Sequence, residues 1–216
     1  MPFRNGDHGY GVVTKVLHWG TVAALLGQFL VGWTMDLGEG LEHEDDRLDA
    51  EADRLEEQAE GQGDAAEDRA RAEIEAWEDA LDVRADDAAA DVFSGVVTTD
   101  AFGNGLTLAE LHVGLGLLII VLAVVRTVWR RGTPLPPWAE HLSGAERRLE
   151  GRLEKLLLAL LFAVPATGLL LVLAGEHWVP VHVAAQIAFL ATIAAHVGLV
   201  LRHTVVHRNR HLARML

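Results

Sequence analysis

Hydrophobic residues along this 216-residue chain fall into four runs of about 20, separated by polar segments of unequal length. The runs lie at about 16–35, 106–128, 153–174 and 179–201. Each is long enough to cross the hydrocarbon core of a bilayer, so the pattern predicts an all-α integral membrane four-helix bundle. Pro165 inside the third run is compatible with this, because neighbouring groups re-satisfy a carbonyl freed within a membrane helix. Between the first two runs the pattern inverts. Residues 36–90 are Ala-rich and acidic, with a thin apolar stripe of Leu48 and Leu55, then Ile74, Trp77 and Leu81. This predicts two helices, 41–60 and 64–90, broken at Gly61–Asp64 and forming a solvated acidic hairpin on a partner or on lipid headgroups. Residues 130–152 predict a basic loop with a proline-rich turn and a short interfacial helix. The expected division is therefore a membrane domain, 1–36 with 106–216, and an extramembrane insert, 37–105.

Composition changes the picture in two ways. The formal charge of −13 is unevenly placed. From Asp36 to Glu110 there are 25 acidic residues against 5 arginines, whereas the membrane part is net basic. Lys and Arg occupy the N-terminus, the 130–152 segment and the C-terminal tail, and none lies in the 175–178 turn. By the positive-inside rule both termini are expected in the cytoplasm of a multi-pass cell-membrane protein, with the insert outside. The first run has no small-residue cleavage site after it and is expected to be retained. Two lysines against 16 arginines, in an acid-rich chain, also suit high salt. Cysteine is absent, which excludes disulfides, iron–sulfur clusters, thiolate metal sites and covalent c-type haem, and leaves histidine as the obvious metal ligand.

Four of the eleven histidines fall inside the hydrophobic runs: His18, His112, His182 and His196. His182 and His196 are 14 residues apart, which places them about 21 Å apart along one helix and about 40° apart around it. In the expected topology His18 and His196 share the inner depth, and His112 and His182 the outer. A lone histidine in a membrane helix is more often a hydrogen-bonding core residue than a ligand. Four that pair by depth suggest two stacked bis-imidazole sites, the geometry of two b-type haems. Zinc or copper transport would add carboxylate or sulfur ligands inside the helices, and none is present. Arg126, at inner depth, is the expected partner of a haem propionate, with Arg202 a weaker candidate. His203, His207 and His211 read as a solvated basic tail.

The LHW of the first run, LHVGLGLLIIVLAVVR of the second, TPLPP, AVPATGLLL of the third and the H-x13-H of the fourth, with the basic tail after it, resemble the bacterial cytochrome b561 family. That family is similar to the cytochrome b subunits of nickel–iron hydrogenases and formate dehydrogenases. The resemblance covers about 1–36 and 106–216. It implies two haem b groups, held by His18 with His196 and by His112 with His182, and electron transfer in a respiratory chain with quinone or quinol as partner. Filled axial positions would suit electron transfer rather than oxygen activation. The chain departs from the family in its acidic insert, and in Glu154 where the family often has histidine. Two other classes stay open: a membrane anchor and haem relay for a separate redox enzyme, and a non-redox metal carrier. Partners expected are the lipid bilayer, quinone, a redox protein at the insert and a second copy in a homodimer, with no nucleic acid.

Overall fold

The computed structural model describes residues 3–6, 9–34, 39–60, 62–98, 106–137 and 142–206. They form six helices: α1 (Val12–Thr34), α2 (Glu39–Ala59), α3 (Asp64–Thr98), α4 (Leu108–Gly132), α5 (Gly144–Ala174) and α6 (Val179–Leu201). A 3-10 turn (Glu176–Trp178) precedes α6 and a π turn (Arg202–Val206) follows it. α1, α4, α5 and α6 are each long and apolar enough to cross a membrane, the last with its span continuing to Val205. The protein is an all-α four-helix membrane bundle.

Helix limits follow local chemistry. Thr107 and Glu110 form a reciprocal capping box at the start of α4, and Ser143 and Glu146 form another at the start of α5. The second box corrects the expectation of a separate interfacial helix before residue 153: once capped at Ser143, the chain runs as one helix to Ala174. Gly175, at φ 96°, stops α5 in a conformation that L side chains rarely adopt. α6 then opens with Pro180 in its first turn.

α3 also runs further than residue 90, and for a different reason. Val92, Phe93 and Val96 interrupt the charged pattern and are partly buried, where α3 packs on α4, α5 and the 3-10 turn. The hairpin is thus seated on the bundle at its C-terminal end rather than held wholly apart from it.

Two ends of the bundle can be told apart: the insert end, where α3 packs, and the terminal end, where α1 and α5 begin and α4 and α6 finish. α1 packs on α4, α4 on α5, and α5 on α6, whereas neither α1 nor α4 runs closely along α6. At mid-height Ala24, Ile119, Ala123, Leu161 and Phe189 form an apolar core, with Ile119 and Phe189 2% exposed. Few other residues in the spans are buried, and large side chains such as Leu26, Leu30, Val121, Ile187 and Leu190 point outward. This is an inside-out arrangement that lipid, not water, can cover. Trp19 and Trp33 stand exposed near opposite ends of α1, as residues of the two interfacial belts do.

Candidate functional site

The sequence-derived histidines lie in two groups, one on each side of the apolar core. At the insert end α4 contributes His112 and α6 His182, close enough for their charges to interact. Gln28 of α1 reaches His112, with its Nε2 2.9 Å from the ring Nε2. His112 Nδ1 and Gln28 Oε1 are buried and have no hydrogen-bond partner. Two glycines make room for the rings. A Cβ on Gly32 would stand 2.9 Å from His112 Cε1, and one on Gly168 would stand 3.0 Å from His182 Cε1.

His182 is held in a defined way. Thr167 donates its hydroxyl to the Val164 carbonyl at 2.8 Å, so its lone pairs face His182 Nδ1 at 3.0 Å. The pattern assigns the proton to Nδ1 and leaves Nε2 as an acceptor, which the Gln186 amide meets at 2.7 Å. A histidine fixed by its Nδ1–H with a basic Nε2 is the form that binds metals through Nε2.

At the terminal end His18 of α1 lies within charge-interaction range of both His196 of α6 and Arg126 of α4. Trp19 packs edge-on against His18, with ring centroids 5.4 Å apart. Glu154 of α5 interacts electrostatically with His196 and Arg126, and pairs with Arg130 at 2.9 Å. A small cavity of about 40 Å³ opens here, lined by Asn5, Tyr10, Thr14, Arg126, Arg130 and Glu154 among others. The N-terminal segment is tied down beside it. Asn5 Oδ1 accepts from Gly11 N and from Thr14 Oγ1, and Trp129 Nε1 donates to Thr14 Oγ1.

A family model described as prokaryotic cytochrome b561 matches residues 9–216. The chain belongs to this family. Comparison with curated proteins and with solved structures gives no match. Membership makes the protein a multi-pass transmembrane b-type cytochrome, with electron transport as its work and haem b as its cofactor. The residues present fit such a group. Imidazoles from helices that do not run close together lie within charge-interaction range of one another, an imidazole Nδ1 and an amide oxygen are buried unpaired beside them, and glycines stand where a Cβ would crowd the rings. Among the described residues no three His, Asp or Glu side chains are grouped as a non-haem metal site requires.

Other residues named from the sequence are placed differently. Arg202 is half exposed and lies 3.6 Å from Glu146. His203 is 1% exposed and pairs with Glu150 at 3.1 Å, so it is no solvated tail residue. The reason is register: seven residues beyond His196, it returns to the same helix face, against α5. His8, His141, His207 and His211 lie outside the described residues.

The sequence reading passed over Gln28, Thr167 and Gln186. A signal existed, since glutamine is costly inside a membrane helix and Gln186 stands one turn after His182 on the same face.

Proposed function

We propose that the protein is a diheme cytochrome b that carries electrons between the two faces of the cell membrane and exchanges them with quinone or quinol. His18 and His196 would hold the iron at the terminal end, and His112 and His182 the iron at the insert end. The carrying observation is the grouping of the four intramembrane histidines into two pairs, each joining α6 to a different helix. Haem b supplies reversible one-electron chemistry at its iron. The chain's own groups orient, neutralise and insulate. Thr167 sets the tautomer of His182. Arg126 can offset a propionate at the terminal end, a role for which Arg202, already beside Glu146, is less well placed. The core of Phe189, Ile119 and Leu161 keeps water from joining the two sites.

Ligand saturation sets the test. Purified protein should be reduced by a quinol or oxidised by a quinone, and its reduced haem should not take up carbon monoxide, since two protein nitrogens fill both axial positions. Rapid carbon monoxide binding by most of the haem would exclude bis-histidine ligation.

The same reading places the terminal end in the cytoplasm, on the distribution of Lys and Arg. A reporter active only in the cytoplasm should work when fused at Gly132 and fail when fused at Gly63. Activity at Gly63 would reverse the orientation.

A further inference from the structure

α5 presents three carboxylates on one face, Glu146, Glu150 and Glu154, spaced at i, i+4 and i+8. Each is opposed by a cation or a potential cation from another part of the chain. Glu146 faces Arg202 at 3.6 Å, Glu150 faces His203 at 3.1 Å, and Glu154 faces Arg130 at 2.9 Å. The first and last pairs contain arginine, which stays charged. Only the middle pair joins two groups that can both titrate. It is also the most enclosed, with side chains 13% and 1% exposed for Glu150 and His203. Glu150 is coupled electrostatically to Glu146 on its outer side and to Glu154 on its inner side. Glu154 in turn lines the small cavity and lies within charge range of His196. Arg147, one turn before Glu150 on α5, donates its Nε–H to the Leu142 carbonyl at 3.0 Å.

We propose that the Glu150–His203 pair is a proton acceptor linked to the terminal-end redox site: it binds one proton, delivered past Glu146 from the terminal-end surface, when an electron arrives there. The proposal rests on the reading that His196 holds a haem. Charge balance is one electron and one proton in, and one of each out when the next acceptor takes the electron. No covalent bond of the cofactor changes. At rest the pair holds one proton, and on reduction it holds two.

The size of the coupling follows from distance. His203 lies seven residues from His196, about 10 Å along the helix. At an effective dielectric of about 20, a unit charge at that distance changes proton affinity roughly tenfold. The reduced state therefore keeps the proton to a higher pH than the oxidised state. As pH rises through the window between the two affinities, the midpoint potential of the terminal-end haem falls in total by about 59 mV, the equivalent of tenfold for a one-electron couple.

Mediated redox titration of the full-length holoprotein across pH tests this. One haem should show the fall and the other should stay level. Glu150→Gln should flatten the fall, and its redox-difference infrared spectrum should lose a protonated-carboxyl band seen in the unmodified protein. The double variant Glu150→Gln/His203→Gln, which keeps two hydrogen-bonding amides in place, should behave the same if the single variant is unstable. A pH-independent midpoint in protein carrying both haems, or a fall that survives both variants, would overturn the proposal. Loss of bis-histidine spectra in the unmodified protein would instead remove the haem assignment on which it rests.

Discussion

Replacing His112 or His182 by alanine is expected to remove one and the same haem, and replacing His18 or His196 to remove the other. The reason is local. Each iron would have two protein ligands, and losing one leaves a five-coordinate site of weaker affinity, while the second site lies about 21 Å away along α6 with its own ligands intact. The apolar layer of Ala24, Ile119, Ala123, Leu161 and Phe189 separates the two groups, so a defect at one end is not passed on through a shared polar network. Haem content and redox titration of the four variants should therefore sort them two and two, each variant retaining about half the haem of the unmodified protein. Thr167→Val is the mild member of the insert-end group. It frees the Nδ1 proton of His182 without removing the ring, and outer partners of this kind are typically worth 10–100-fold in metal affinity. A grouping of His18 with His112 would mean that the pairs are drawn wrongly.

Side chains at Gly32 and Gly168 are expected to cost the insert-end haem while sparing the fold. A Cβ at either position would press on an imidazole, at 2.9 Å from His112 and 3.0 Å from His182. The ring is the free end of its side chain and can swing aside, so the helices need not part. The displacement needed is a few tenths of an ångström, which exceeds the tolerance of about 0.2 Å in metal–ligand distance. Gly32→Ala and Gly168→Val should express as helical membrane protein with the insert-end haem depleted tenfold or more. Gly116→Ala, where the nearest side-chain atom is 3.8 Å away, and Gly132→Ala, where nothing lies within 4 Å, should keep both haems. Equal haem loss in all four would show that glycine matters here for helix packing and not for the rings.

The membrane made much of this arrangement legible from sequence. A bilayer fixes one coordinate in advance, so depth along each apolar run is enough to propose grouping His18 with His196 and His112 with His182. α6 was readable to the residue, because Pro180 opens it and its apolar run ends at Arg202. What escaped lay where chemistry is local or lateral. The capping box of Ser143 and Glu146 sits within a charged segment, so the first turns of α5 read as a separate interfacial helix and not as the start of the third span. His203 looks solvated among basic neighbours, yet helical register brings it back against Glu150. Thr167 and Gln28 act across helices, and spacing within one helix says nothing about a neighbour's side chain. The close approach of α3 to the bundle was hidden for the same reason, since its short Val92–Val97 patch has meaning only beside α4.

The most direct measurement is the ratio of haem to polypeptide in the purified protein, taken together with the spin state of the iron. Two haem b per chain, both low-spin as two imidazole ligands require, is the expected result. One haem per chain, or two with a substantial high-spin fraction in intact protein, would contradict the account of two bis-histidine sites stacked along α6.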